Sequence, residues 1–270
     1  MLLLLLACTP SESPQDSTVE VSPTAHWMAD VYADRPETTF GSILLPGAFN
    51  STSYACDAAF GMSPDAPEVV RALWGDEETT DNEENRDLIV AWAKTQDRSI
   101  AQQLDDGIRF VEMNITLKEG ELTTWHSVYG LPLENILDEL LAFAVAQPDE
   151  VILISFGLTL DSTDWPQFGD ALARPRSGGV SVCDRIYDGT EPAALATLAD
   201  IRSRQRNLIW TPSGELRDYL ESRGDCPLSQ GIADRSWSIT VSPEGVEAAL
   251  AASVAARDPT TAIAVPHTCR

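Results

Sequence analysis

The sequence predicts an α/β fold, a (β/α)8 TIM-type barrel with distortions, and three observations lead there. Strand-like and helix-like segments alternate along a single stretch of chain. Residues 151–156 form an almost continuously apolar run, the pattern of a parallel strand covered on both faces. No internal repeat breaks the 270 residues into a solenoid or array. That length suits one barrel, one large sandwich or two small domains, and 43% hydrophobic residues exclude global disorder.

Taken in order, residues 1–7 are a short apolar run ending Leu5-Leu6-Ala7 before Cys8, too short to span a bilayer. The run resembles the end of a bacterial lipoprotein signal, which implies a lipidated Cys8 at the mature N-terminus and an exported, membrane-anchored chain in the cell envelope. An ordinary secretory signal with an incidental cysteine is the alternative, and it also exports the chain. Residues 9–25 are rich in Pro, Ser and Thr and read as a flexible tether, with the folded domain covering 26–270. Strands are expected at 42–45, 108–115, 151–156 and 207–210, with a closing strand at 262–265. The acidic stretch 75–87 reads as an exposed loop, and its spacing does not fit an EF-hand. Ser99-Ile100-Ala101-Gln102 is a capping-box pattern, with Gly107 as the helix stop. Residues 134–146 carry Ile136, Leu140 and Phe143 at helical spacing and break at Pro148. Pro192 and Ser242-Pro243 are expected to open two further helices.

Export changes how the cysteines read. Cys56, Cys183, Cys226 and Cys269 form an even set in a compartment where disulfides persist, and four cysteines allow three pairings. Barrel topology favours Cys56–Cys269, after the first and last strands, and Cys183–Cys226, in loops of the same face. The formal charge of −24 excludes a nucleic-acid partner, because such a surface repels phosphate backbones.

Function in a barrel gathers at the C-terminal ends of its strands. Along 108–115, Ile108, Phe110, Glu112 and Asn114 share one face, so Glu112 and Asn114 point the same way near the strand's end. They form either a site or a hydrogen-bonded layer capping the core. Thr123-Thr124-Trp125-His126-Ser127 places a histidine on a short segment before the next helix.

These residues carry a family resemblance. Leu45-Pro46-Gly47-Ala48-Phe49-Asn50-Ser51, Trp92-Ala93-Lys94-Thr95-Gln96, Ser99-Ile100-Ala101-Gln102-Gln103-Leu104 and Gly107-Ile108-Arg109-Phe110-Val111-Glu112 occur in the order of the phosphatidylinositol-specific phospholipase C X-domain. The stretch ending Gln147-Pro148-Asp149-Glu150-Val151 is similar to its helix and following strand. The resemblance implies a PLC-like phosphodiesterase fold and a phosphoric diester hydrolase of lipid metabolism. In that family one histidine deprotonates the inositol 2-hydroxyl and a second protonates the leaving alkoxide, while arginine or calcium neutralises phosphoryl charge. Here Phe49 stands where the first histidine would be, and His126 takes the place of the second. Asn50, Glu112 and Asn114 resemble the calcium-ligand set, with Asn114 replacing an aspartate and Gly157 falling at the fourth ligand. His26 and His267 fall at no family catalytic position. The expectation is a degenerate phosphodiesterase, weak or inactive, whose partner is a lipid or lipid headgroup. The alternative is a non-catalytic surface lipoprotein that binds a headgroup or a protein.

Overall fold

A computed structural model describes residues 23–75, 82–230, 233–235 and 262–267, the last two segments as backbone. Cys8, Cys269, most of the tether and the helix expected at Ser242-Pro243 lie outside the described residues. The end of the tether is folded: Pro23–His26 forms a 3-10 turn, and Ala25 is fully buried.

Six parallel strands build the sheet. They are β1 (Leu44–Ala48), β2 (Phe110–Lys118), β5 (Ile152–Leu158), β6 (Leu208–Ile209), β7 (Ala233–Arg235) and β8 (Ala262–His267). Their order is β7-β8-β1-β2-β5-β6. Between β2 and β5 the chain makes β3 (Glu121–His126) and β4 (Val128–Pro132), an antiparallel ribbon on the far half of β2. The expected closed barrel is absent, since β6 and β7 share no pairing among the described residues and the sheet stays open there. With two residues in β6 and three in β7, neither edge offers a ladder long enough to close.

The ribbon corrects a second expectation, because His126 ends a strand rather than preceding a helix. The turn responsible is Glu119-Gly120, with φ of 52° and 84°, the two left-handed residues of a tight hairpin. The end of the acidic stretch, residues 83–87, is helical rather than a loop. Helix α3 (Glu83–Ala93) follows α2 (Glu68–Trp74) and buries Ile89 and Ala93 in one cluster with Trp74. Pro192 opens a turn rather than a helix, and α7 (Leu198–Arg204) starts later, where the Thr197 side chain accepts from the Asp200 N–H.

Two local readings hold as expected. Helix α4 (Ile100–Asp105) carries the full Ser99/Gln102 capping box, and Gly107 follows it at φ 101°. Helix α5 (Leu133–Ala146) buries Leu133, Ile136, Leu137, Leu140 and Ala144 completely against the sheet. The Cys183–Cys226 disulfide is formed. Cys56 is buried, with its Sγ 3.4 Å from the Val128 carbonyl, and the Cys269 end of the expected Cys56–Cys269 bridge lies outside the described residues. Burial pushes that thiol up to about 11.

Candidate active site

The loop that leaves β1 is pinned from several directions. The Ser51 N–H donates to the Glu112 carbonyl at 2.7 Å, and the Glu112 N–H returns a bond to Ser51 Oγ at 3.1 Å. The Phe49 carbonyl accepts from Thr95 Oγ1 and Gln96 Nε2, at 3.1 and 3.0 Å. Ser53 Oγ accepts the N–H groups of Thr95 and Gln96, while Gln103 Nε2 donates to the Ser51 carbonyl at 2.7 Å. The glutamines of the recognised motifs therefore act on backbone, holding residues 49–53 against β2.

That scaffold brings the expected residues into two groups. In the first, Asn50 (φ 45°) and Glu112 are 2% and 5% exposed. Glu112 Oε2 lies 3.4 Å from the Asn50 N–H, and Asn114 Nδ2 donates to Asn50 Oδ1 at 2.6 Å. In the second, Phe49 and His126 meet edge to face, with ring centroids 6.2 Å apart and an 83° interplanar angle. His126 Nδ1 lies 2.8 Å from the Ala93 carbonyl at the end of α3. A carbonyl only accepts, so Nδ1 carries the hydrogen and Nε2 is the nitrogen left to exchange a proton.

The residues do not fit calcium as arranged. The two amides bond each other instead of converging on a cation, and Glu112 is the one carboxylate of the three. Among the described residues no group of three or more His, Cys, Asp or Glu could hold a metal. Gly157, in register with Asn114, has no side chain to supply the fourth oxygen. Of the remaining histidines, His26 lies 3.9 Å from Asp30, on the segment whose Thr24 and Trp27 side chains bond the Asp105 and Gly107 carbonyls ahead of β2. His267 is in register with Ala48, which pairs with Val111, one position out of step with Glu112.

A cleft of about 890 Å³ opens along β5, and none of Phe49, Asn50, Glu112, Asn114 or His126 lines it. Ser155, the register partner of Glu112, lines it together with Leu153, Trp165, Trp210, Thr211 and Leu216. The Trp210-Thr211-Pro212 stretch was legible as a strand end, but Trp165 and Leu216 come from helices and carried no motif. Arg217 also borders the cleft, with its Nε 2.8 Å from Glu221.

No protein-family model matches the chain. Over 153 residues it is 28% identical to PI-PLC X domain-containing protein 2 of Mus musculus, covering 55% of this chain and 43% of that protein. Over 136 residues it is 26% identical to PI-PLC X domain-containing protein 3 of Homo sapiens, covering 49% and 41%. The chain thus spans less than half the length of these curated relatives. Among solved structures it is similar in fold to the phosphatidylinositol-specific phospholipase C of Listeria monocytogenes, with TM-score 0.51 and 15% identity over 91% of this chain and 95% of that one. A Staphylococcus aureus phosphatidylinositol-specific phospholipase C gives TM-score 0.52 and 16% identity over 90% and 76%.

Proposed function

Because the chain belongs to the PI-PLC X-domain, PLC-like family, we propose that it is a phosphodiesterase for a lipid phosphodiester whose active site is thinned to one acid-base group. The observation that carries this reading is the Phe49–His126 pair. The Ala93 carbonyl holds the Nδ1–H of His126, so Nε2 takes a proton from solvent to form the imidazolium. That proton passes to the departing alkoxide oxygen, returning the ring to its neutral form. Across from it Phe49 presents a ring that neither takes nor gives a proton. The attacking hydroxyl therefore loses its proton to solvent, and loss of one positioned base typically lowers rate by about 10²–10⁴-fold. Turnover is accordingly weak, and no step runs through calcium.

Hydrolysis of phosphatidylinositol by the purified chain, with calcium or chelator, tests this. The expected result is slow turnover, indifferent to calcium, that His126→Ala lowers by a further ~10²-fold or more and Phe49→His raises by a similar factor. A His126→Ala variant as active as the parent would end the proposal.

A further inference from the structure

The short link between α3 and α4 touches both halves of the Phe49–His126 pair. Ala93, the last residue of α3, is buried in one cluster with Val128 at the start of β4. That contact sets the end of α3 against the turn that follows His126. Carbonyls in a last helical turn have no partner within the helix and take one from outside. At Lys94 the backbone leaves the helix, with ψ of 92°. The Ala93 carbonyl is then taken by two donors, His126 Nδ1–H at 2.8 Å and the Thr95 N–H at 3.1 Å.

The side chain of Thr95 serves the other half. Its Oγ1 donates to the Phe49 carbonyl at 3.1 Å and lies 2.9 Å from Ser53 Oγ. A hydroxyl has one hydrogen to give. Thr95 commits its own to Phe49, so Ser53 is the donor between the two hydroxyls. Ser53 Oγ in turn accepts the N–H groups of Thr95 and Gln96, at 3.0 and 3.1 Å. The hydrogens therefore run one way, from two N–H groups through Ser53 and Thr95 to the Phe49 carbonyl. A chain of this kind polarises and strengthens its members. Ser53 is 1% exposed, so water does not compete for its bonds.

Thr95 thus bonds, through two different atoms, the carbonyl that holds His126 and the carbonyl of Phe49. The rings on either side meet edge to face at 6.2 Å, a contact that depends on direction as well as distance. We propose that Thr95 is a positioning residue that fixes the Phe49 ring and the His126 imidazole relative to each other, leaving the imidazole one setting from which Nε2 works. The inference rests on the reading of His126 as the proton donor.

Thr95→Val keeps the shape and the N–H but loses the hydroxyl, whereas Thr95→Ser keeps both hydrogen-bonding groups. On a water-soluble phosphodiester, Thr95→Val should lower kcat about tenfold at unchanged KM, and Thr95→Ser should match the parent. Nuclear magnetic resonance of the full chain reads the geometry without turnover. In Thr95→Val the His126 ring signals should lose the shift imposed by the Phe49 ring. His126 should keep its proton on Nδ1, because Ala93 still holds it, and the signals of α5 should stay in place. Thr95→Ala also lacks the hydroxyl and gives the same reading if Val is not accommodated. In a Phe49→Leu background, loss of the Thr95 hydroxyl should leave the His126 signals unchanged, since the ring it controls is gone. His126 signals identical in the parent, Thr95→Val and Thr95→Ala overturn the proposal. So does a Thr95→Val chain with the parent's kcat, or a Thr95→Ser chain that behaves as Thr95→Val. If the parent shows no turnover, the catalytic reading falls and the resonance measurement alone decides the role of Thr95.

Discussion

Asn114 and Gly157 form one unit. They face each other across β2 and β5, and a Cβ on residue 157 would overlap the Asn114 side-chain oxygen. That amide cannot swing aside freely, because its nitrogen is committed to Asn50 at 2.6 Å. Restoring a side chain at 157 therefore disturbs Asn114, and through it Asn50. Gly157→Ala should cost about 1 kcal/mol, the net worth of the displaced hydrogen bond. The same change in an Asn114→Ala background should cost almost nothing. Urea unfolding of the two single variants and the double variant measures the coupling directly. Phe49 and His126 were identifiable from their places in ordered motifs, and the structure brings them into contact. Their mutual geometry was not legible, because it depends on a hairpin whose Glu119-Gly120 turn lacks the usual Asn or Asp.

Among the elements, α4 and the segment leading into it hold the loop that leaves β1. Gln103 is 3% exposed, and its Nε2 donates at 2.7 Å to both the Ser51 and the Arg98 carbonyls. Gln103→Leu leaves two inward carbonyls without that donor and should destabilise the protein by about 1–3 kcal/mol. Amide exchange should accelerate at Ser51 and Ser53 before it does in α5, and uniform acceleration would deny the loop-holding role. The capping box and Gly107 could be read beforehand because caps are decided within a few residues. The task of Gln103 could not, since its partner Ser51 is brought to it by the tertiary fold. Helix α3 was hidden for a related reason: an acid-rich segment reads as solvated until Trp74 gives Ile89 and Ala93 something to cover.

Across the whole molecule, the N-terminal segment, the start of β2 and the start of β5 meet at one ion pair. Arg109 and Glu150 are fully buried and 2.7 Å apart. The guanidinium also donates to the carbonyls of Leu104 and Ala25 and lies over the Phe143 ring at 4.9 Å. Glu150 in turn accepts the N–H groups of Met28 and Ala29. Removing one partner strands the other charge in the interior, so Glu150→Ala should cost about 3–5 kcal/mol. Replacing both by methionine should cost less than either single loss, which chemical denaturation can measure. Arg109 and Glu150 both occur in the motifs that suggested the family, yet their work is structural. The mixed α/β class was legible from alternation, whereas the missing β6–β7 pairing among the described residues was not. Closure depends on the lengths of β6 and β7, and those are decided by pairing between distant parts of the chain.

That pairing has a consequence for the order in which the protein can be assembled. Leu44 and Leu45 of β1 are matched on one side by Ile263 and Ala264 of β8, which is made long after β1. On a ribosome, β2 and the β3–β4 ribbon are made and can associate while that side of β1 still waits for its neighbour. Contacts of such long sequence separation form slowly, and a waiting strand edge is an invitation to pair with another chain. The newly made protein is thus most exposed to aggregation along β1, the strand that delivers Phe49, until β8 has been synthesised.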